Sequence, residues 1–409
     1  MAAEITVDVE SLAFGGDAVG RQRDPAGALT ADDGRVTFVP LAAPGERVRV
    51  RVERAKGKVA WAELTAIDAP GADRVAPPCP LFGTCGGCQW QHVALPAQHA
   101  AKHAIVARAL ALATDSLPPV VAASAAYGYR DRCRLAVGAG GMLGFRARRS
   151  HDVVDVQACP LFGPELTRAL PALRAMARGL APGVELDVQA GADGVHVNVV
   201  RADPTSAAHA RREVDRLSAA GVVGLALAGK STSGQADVDV AEPGAAPLRV
   251  PADGFAQVGR AGNAALVAAV LDAVGPSPGA VLELYAGSGN FTRHLVPIAT
   301  SVAASDGDPG AVERGRRNVP GASWSLRPVM MGAVDTAVLD PPREGADRAH
   351  LTAATAARRR IVYVSCDPQT LARDARTLAA SGFHLAGAVA LDLLPQTFHV
   401  EVVARFERD

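Results

Sequence analysis

Residues 281–292 read VLELYAGSGNFT, an apolar run followed by a glycine-rich turn and by residues that can begin a helix. Glycine accepts the backbone angles of a sharp turn and lets a ligand approach the main chain closely. The stretch therefore predicts a nucleotide-like ligand beside Gly287, Gly289 and Asn290. Alone, such a turn also fits a purely structural bend or a different nucleotide, so the flanking sequence has to decide.

Apolar runs alternate with helical segments on both sides of this turn. A helix is predicted at about 261–274, and the strands that follow are AVLELYAG, TSVAASD, DTAVLDPP, RIVYVSCDP and a final pair near LAGAVALDLL and HVEVVARF. This alternation predicts an α/β domain over residues 251–409, with a doubly wound, mostly parallel sheet. Ligands of such sheets bind at the carboxyl ends of the strands.

Two further domains are predicted upstream, as a chain of 409 residues exceeds the usual size of one hydrophobic core. Residues 1–68 contain short β-like runs separated by turns such as FGGDAVG, which predicts a small β barrel. Residues 69–250 begin with a proline-rich linker and then mix helical runs with strands. This middle part is predicted to be an α+β domain.

Composition excludes some classes of protein. Hydrophobic residues make up 49% and charged residues 21%, and no long uncharged apolar stretch predicts a membrane span. The N-terminus, MAAEITVDVE, has acids where an export signal has basic residues, so we expect a cytoplasmic protein.

Basic residues are concentrated in two segments, although the formal net charge is zero. Arginine and lysine outnumber acids in residues 46–61 and 129–150. Each segment fits either a phosphate-binding surface or an ordinary solvated strand face.

Acids follow two of the predicted strands. Asp306 stands where an acid commonly holds ribose hydroxyls, although it could instead cap the helix that begins near Pro309. Asp340 opens the sequence DPPREG, in which the prolines cannot continue a strand ladder. We expect these prolines to form a rigid rim that holds Asp340 toward a pocket for a planar base.

Cys366 and Glu401 are candidate catalytic residues. Cys366 follows the strand RIVYVS and precedes a predicted helix, whose N-terminus can lower a thiol pKa and favour nucleophilic attack. An isolated cysteine is more often a small buried hydrophobe. Glu401, in HVEVVARF, could act as a general base, whereas a lone strand glutamate is usually just solvated.

Four other cysteines suggest a metal site. Cys79, Cys85 and Cys88 lie close together and Cys159 follows much later, a pattern that suits four thiolate ligands. Disulfides are disfavoured in a reducing compartment, and the spacing does not separate zinc from iron-sulfur. Cys133 has no obvious partner and is expected to be structural.

These motifs resemble the RNA (uracil-5-)-methyltransferase family, bacterial enzymes that act on ribosomal and transfer RNA, over essentially the whole chain. The resemblance implies an OB-like TRAM barrel, a class I methyltransferase domain and a 4Fe-4S site at the four cysteines, with zinc less favoured. Phe255 and Gln257 match the family's FxQ motif. The residues implied to bind S-adenosyl-L-methionine are Gln257, Tyr285, Gly287, Gly289, Asn290, Asp306 and Asp340.

The resemblance also implies a reaction. Cys366 would attack a uridine flipped out of its RNA, carbon 5 would be methylated, and Glu401 would remove the displaced proton. Ribosomal 23S RNA is favoured over transfer RNA, and a monomer is expected. The alternatives are a catalytically weak RNA-binding protein of the same fold and a cytosine-5 RNA methyltransferase.

The chain departs from the family pattern between Asn318 and Asp335, where it is unusually short. The acid or amide that contacts the cofactor there in the family has no clear counterpart, a departure that fits either weakened cofactor binding or a divergent, impaired enzyme. Ala286 stands where the family often has a cysteine, a change expected to be harmless.

Overall fold

The N-terminal strands close into a barrel. The structure, a computed structural model, describes residues 4–23, 35–235, 237–242, 245–328 and 333–408. The barrel strands are β1 (Glu4–Leu12), β2 (Ala18–Arg23), β3 (Val36–Val39), β4 (Arg47–Lys56) and β5 (Val59–Ala69). They close in the order β1-β2-β3-β5-β4, which confirms the predicted barrel. Val7, Val48 and Val50 point inward because alternate residues of a strand face opposite sides.

The middle part of the chain forms a seven-stranded sheet with helices against it. Its elements are α1 (Leu95–Ala109), β6 (Arg132–Val137), β7 (Leu143–Arg146), β8 (Val153–Asp155), α2 (Pro164–Ala177), β9 (Glu185–Ala190), β10 (Val195–Val200), α3 (Pro204–Arg212), α4 (Val214–Ala219), β11 (Val222–Leu227), β12 (Lys230–Gly234), β13 (Val238–Glu242) and β14 (Ala245–Val250). The sheet order is β12-β11-β10-β9-β6-β7-β8, and β13 and β14 form a separate hairpin. Short 3₁₀ helices lie at Thr114–Ser116 and Ala139–Gly141.

Helix α1 packs away from this central sheet. Val106 and Ala107 are buried in the core of the C-terminal sheet, whereas Ile105 and Trp90 are buried in the core of the barrel. The buried ammonium of Lys102 lies 2.6 Å from a carboxylate oxygen of Asp392. Helix α1 therefore joins the barrel to the C-terminal part of the chain, a packing that the sequence did not predict.

The C-terminal part contains the expected doubly wound sheet. Its elements are α5 (Arg260–Val274), β15 (Ala280–Leu284), α6 (Thr292–Leu295), β16 (Ser301–Ser305), α7 (Pro309–Asn318), β17 (Ser323–Ser325), β18 (Thr336–Leu339), α8 (Arg348–Ala354), β19 (Arg360–Ser365), α9 (Pro368–Ala380), β20 (His384–Leu391) and β21 (Glu401–Glu407). The order is β17-β16-β15-β18-β19-β21-β20. The first five strands are parallel, and β21 pairs antiparallel with both neighbours.

The short segment after Asn318 contains only strand β17 among its described residues. Residues 329–332, where the family's missing contact would be sought, lie outside the described residues. Within the described ranges, no helix is both long enough and apolar enough to cross a membrane.

Candidate active site and cysteine cavity

Four parallel strands end directly before a residue singled out in the sequence. The residues after the ends of β15, β16, β18 and β19 are Tyr285, Asp306, Asp340 and Cys366. They share one edge because the carboxyl ends of parallel strands lie on the same side of the sheet. Glu401 begins the antiparallel strand β21, whose next residue, Val402, pairs with Ser365. Glu401 therefore reaches the same edge beside Cys366.

A cavity of about 520 Å³ opens at this edge, within the usual size of a ligand pocket. The predicted site residues that line it are Gln257, Tyr285, Gly287, Asp306, Asp340, Cys366 and Glu401. Asn290 lines a narrower space of about 70 Å³ that shares Gln257, Tyr285, Gly287 and Asp340 with the main cavity.

Gly289 lies beside these spaces and shapes the turn. Its φ is 103°, and a Cβ atom there would lie 3.1 Å from the Val319 side chain and 3.4 Å from the Trp324 ring. Glycine is thus needed for backbone conformation and for close packing. Gly289 itself lines neither of the two spaces.

Asp306 supports the glycine turn through its carboxylate. One oxygen accepts a hydrogen bond from the Gly287 N–H at 2.8 Å, and the other accepts from the Asp308 N–H at 2.8 Å. The helix cap considered from sequence is instead Asp308, which accepts from the N–H groups of Gly310 and Ala311. Asp306 therefore does not cap α7. Each of its carboxylate oxygens accepts one hydrogen bond and retains a lone pair for a ligand.

Asn290 is engaged by another amide. Its side-chain nitrogen donates to Asn263 Oδ1 at 2.8 Å, and its oxygen accepts from Asn263 Nδ2 at 3.0 Å. Asn263 is buried on α5 and was not singled out from the sequence. This reciprocal pair fixes the orientation of Asn290 at the narrow end of the cavity.

Tyr285 adopts a left-handed backbone conformation, with φ of 61°. Such a conformation is costly for a residue with a side chain and marks local constraint. Its ring stacks on His350 with centroids 4.2 Å apart, and its hydroxyl accepts from the Asp347 N–H at 3.2 Å. These contacts fix the ring that forms one wall of the cavity.

The thiol of Cys366 is surrounded by acidic groups. Burial, together with the Glu401 and Asp340 carboxylates, raises its pKa to about 11, while the Arg343 guanidinium opposes this rise. The helix N-terminus beside Cys366 therefore does not bring the thiol pKa below its ordinary value in the ligand-free protein. Burial and negative charge outweigh the helix because the thiol sits in a partly dehydrated cavity.

Asp340 and Glu401 form a half-buried carboxyl pair. Burial raises the pKa of both groups, and the nearness of Asp340 raises that of Glu401 further. Two close carboxyl groups cannot both ionise easily, so one proton is readily retained between them. Such a pair can hold or accept a proton near neutral pH.

Two cavity residues were missed although they stand inside quoted motifs. Arg343, in DPPREG, is the arginine whose positive charge opposes the rise in pKa of both Cys366 and Glu401. His399, in HVE, is held in its neutral form because burial and nearby cations lower its pKa to about 3. Their positions inside these motifs could have identified them as candidate site residues. Their contacts with each other and with Cys366 could not be predicted, because those contacts depend on the fold.

Glu283 was also missed. It is buried in the middle of β15, and neither carboxylate oxygen has a hydrogen-bond partner among the described residues. Burial raises its pKa to about 8, and the nearby carboxylates of Asp340 and Asp306 add to the rise. An acidic residue inside an apolar strand is unusual, and this feature of the sequence could have identified Glu283 as a candidate site residue.

The four predicted cysteines line a second cavity, of about 330 Å³. Cys79, Cys85, Cys88 and Cys159 are free thiols. Among the described residues, no three potential ligands are gathered tightly enough to hold a single metal ion. The sulfurs instead surround a shared space. Cys133 is buried in the core of the central sheet, as expected of a structural residue.

Both predicted basic segments contain many ion pairs. On the barrel, Arg47 pairs with Asp8 at 3.0 Å and Arg49 with Asp68 at 3.0 Å. In the second segment, Arg134 pairs with Asp187 at 2.7 Å. These pairs favour the solvated-face interpretation for part of each segment.

Two sets of basic groups lie at the end of a hairpin and along a cleft. Arg54, Lys56 and Lys58, at the end of the β4–β5 hairpin, pair with no acid in the described part of the chain. Arg134, Arg146, Arg148 and Arg149 together line an open cleft of about 470 Å³, where each of them is ion-paired with an acid.

Comparison with known proteins agrees with this geometry. Residues 3–65 match the model of the TRAM domain, and residues 329–408 match the model described as tRNA (Uracil-5-)-methyltransferase. The chain is 32% identical to the 23S rRNA (uracil(1939)-C(5))-methyltransferase RlmD of Pectobacterium atrosepticum, covering 100% of this chain and 94% of that protein. It is 33% identical to the protein of the same name from Salmonella typhimurium, with coverage of 99% and 96%.

A solved structure extends the similarity to the whole fold. The Pyrococcus abyssi tRNA (uracil-54, C5)-methyltransferase, in complex with S-adenosyl-L-homocysteine, is 25% identical and superposes with a TM-score of 0.75. The match covers 98% of this chain and 99% of that one. Sequence and fold agree over the full length, and the chain therefore belongs to the RNA (uracil-5-)-methyltransferase family.

Proposed function

We propose that this protein transfers a methyl group from S-adenosyl-L-methionine to carbon 5 of a uridine in 23S ribosomal RNA. The observation that carries the proposal is the meeting of Cys366, Glu401 and Asp340 in one cavity at the carboxyl edge of the sheet. Relatives named for 23S rRNA match at 32–33% identity, whereas the transfer-RNA enzyme of known structure matches at 25%. Ribosomal RNA is therefore favoured as substrate.

The cavity suits a cationic methyl donor. Asp306 and Asp340 bring two carboxyl groups to the lining of the cavity, and the buried carboxyl group of Glu283 lies within electrostatic reach of both. Acidic groups around a cavity attract a cationic ligand. Gln257, Tyr285, Gly287, Asn290, Asp306 and Asp340 would hold the cofactor, while Gly289 would shape the turn. When bound, S-adenosyl-L-methionine supplies an electrophilic methyl group on a sulfonium.

Cys366 and Glu401 would divide the chemistry. The Cys366 thiolate would add to carbon 6 of the uracil, and the electron pair of the 5,6 double bond would make carbon 5 nucleophilic enough to take the methyl group. The broken carbon–sulfur bond would leave its electron pair on sulfur, with S-adenosyl-L-homocysteine as the leaving group. Glu401 then removes the proton from carbon 5. The electrons of that C–H bond restore the double bond and expel the Cys366 thiolate. Arg343 favours the thiolate because it is the cation that opposes the surrounding carboxyl groups.

The uridine would have to leave its RNA stack, since a stacked base cannot present both faces to two reactants. Phe255 supports this requirement: it lines the cavity and is 69% exposed. The Arg132 guanidinium lies 5.5 Å from the centre of its ring. An exposed aromatic ring next to a cation is suited to an unstacked base.

The barrel offers a second RNA-binding surface. Phe38 and Trp61 pair across β3 and β5, and their rings stack at 5.9 Å with an interplanar angle of 13°. The Arg54 guanidinium lies 3.9 Å from the centre of the Trp61 ring. Lys56 and Lys58 add positive charge beside it. Aromatic rings next to cations suit single-stranded RNA.

The cysteine cavity would hold a 4Fe-4S cluster. Four thiols around about 330 Å³ suit a multi-atom cluster better than a single zinc ion, which needs its ligands close together. When bound, the cluster supplies four iron–thiolate bonds that link the loop of Cys79 to that of Cys159. We propose that the protein acts as a cytoplasmic monomer.

Nucleoside analysis tests the proposed function. Purified protein and labelled S-adenosyl-L-methionine are incubated with 23S rRNA lacking the modification, and the RNA is digested to nucleosides. We expect labelled 5-methyluridine, and none with Cys366→Ala. Sole production of 5-methylcytidine would identify a cytosine enzyme. RNA binding without any methyl transfer would indicate the catalytically weak alternative.

A further inference from the structure

Arg130 is fixed by its backbone beside the cysteine cavity. Its N–H donates to the Leu161 carbonyl at 2.8 Å, and its own carbonyl accepts from the Gly163 N–H at 2.9 Å. These bonds tie Arg130 to the loop that carries Cys159. Its side chain lines the cavity together with the four cysteines.

The guanidinium of Arg130 has no carboxylate partner among the described residues. Its Nε atom is buried without a hydrogen-bond partner, and no Asp or Glu lines the cavity. The adjacent Tyr129 is neutral because burial raises the pKa of its hydroxyl. A half-buried cation whose Nε is buried and which has no counter-anion is unfavourable, so this arrangement suits an anionic group in the cavity.

The thiols are the groups within electrostatic reach of this cation. Arg130 lines the same cavity as Cys79, Cys85, Cys88 and Cys159, and no acidic residue lies in that lining between them. A 4Fe-4S core of charge 2+ with four thiolates carries a net charge of about −2, and one added electron makes it about −3. A fixed positive charge stabilises the more negative state more strongly.

We propose that Arg130 is the resident counter-cation of the metal centre and raises its reduction potential. The inference rests on the proposed 4Fe-4S cluster and concerns a residue outside the methyl-transfer site. The electron is supplied by an external reductant, and the cluster is the group reduced. Arg343 also lines this cavity, but it lines the active-site cavity with its carboxyl groups as well. Arg130 lines only the cysteine cavity, so its charge acts mainly on the metal centre.

Redox titration of the full chain tests the role of Arg130. Wild type, Arg130→Met, Arg130→Lys and Arg376→Met are purified anaerobically, assayed for iron and sulfide, and titrated with dithionite while the reduced cluster is followed by electron paramagnetic resonance. Arg376→Met removes an exposed arginine on α9 and controls for total charge. We expect Arg130→Met to lower the reduction equilibrium constant at least about tenfold, which for one electron is about 59 mV.

The charge-conserving variant separates electrostatics from packing. Arg130→Lys should recover most of the shift, and Arg376→Met should behave as wild type. An Arg130→Met protein with full iron content and an unchanged potential would overturn the inference. If the methionine variant loses its cluster, the lysine variant decides: retention at the wild-type potential supports the inference, and loss in both overturns it. Wild type without iron would refute the cluster itself.

Discussion

Arg343 Nη2 lies 3.2 Å from Nε2 of His399, and this pair forms part of the wall between two cavities. Both residues line the space that contains Cys366 and Glu401, and both also line the space surrounded by the four cysteines. The neutral His399 ring accepts the hydrogen bond from Arg343. The pair thus orients the cation that faces the nucleophile and connects the two sites physically.

We expect Arg343→Gln to slow alkylation of Cys366. The reactive form is the thiolate, so removing the cation that opposes the pKa rise lowers its population at a given pH. A rise of one pKa unit would reduce the rate about tenfold. The measurement is iodoacetamide labelling of the ligand-free protein between pH 7 and pH 10, with the Cys366 peptide quantified by mass spectrometry.

Two variants control this experiment. Arg343→Lys keeps the positive charge and should label nearly as fast as wild type, while Arg348→Gln removes an exposed arginine on α8. Labelling of wild type should still be rising at pH 10, since its pKa is about 11. Equal rates in wild type and Arg343→Gln would show that the cation does not influence the thiol.

Glu401→Gln should trap a covalent complex with RNA. An amide cannot accept the proton from carbon 5, so addition and methylation proceed but elimination stops. We expect an RNA–protein band that survives denaturing electrophoresis and carries one methyl group. The double variant Cys366→Ala/Glu401→Gln should give no such band. Rapid release of methylated RNA by Glu401→Gln would assign the base to another residue.

Glu283→Gln should make thermal stability less dependent on pH. The folded-state pKa of Glu283, about 8, exceeds its ordinary value, so the folded chain holds this proton more tightly than the unfolded chain. Its contribution to stability is fully present at low pH and is lost as pH rises through about 8. The glutamine side chain does not titrate, so its contribution to stability does not change over this pH range.

Melting temperatures at pH 6 and pH 9 check this expectation. The difference in Tm between Glu283→Gln and wild type should shift in favour of the variant at pH 9. Glu53→Gln, at an exposed position on the barrel, should show no such shift. An equal Tm difference at both pH values would mean that Glu283 stays charged in the folded protein.

RNA should quench the fluorescence of Trp61. Of the three tryptophans, Trp90 is 0% and Trp324 is 8% exposed, whereas Trp61 is only partly buried. Stacking of one base is worth about 1–3 kcal/mol, so Trp61→Ala should weaken RNA binding about tenfold. Fluorescence titration of wild type with single-stranded RNA measures the quenching, and the anisotropy of labelled RNA measures the affinity of wild type and variants.

One control keeps an aromatic ring at the barrel surface, and the other removes a positive charge outside the barrel. Trp61→Phe should bind nearly as wild type, and Lys230→Ala, on the exposed strand β12, should leave affinity unchanged. Unaltered affinity in Trp61→Ala would remove the barrel face from the RNA-binding surface.

The sequence by itself determined the parallel sheet and the residues at its edge. Asp306, Asp340 and Cys366 each follow an apolar run, and parallel strands bring such positions together whatever the loops do. The barrel was predictable for a related reason, because alternating strands and glycine turns are local patterns. The resemblance to the family's motifs identified the same residues as site residues by a separate route.

Only the tertiary structure decided the relationships between distant segments. It paired Asn290 with Asn263, packed α1 between the barrel and the C-terminal sheet, and placed Arg343 and His399 between two cavities. It also raised the Cys366 pKa, contrary to the local expectation. Local sequence specifies periodicity and turns, whereas burial and electrostatic environment depend on which remote side chains pack around a group.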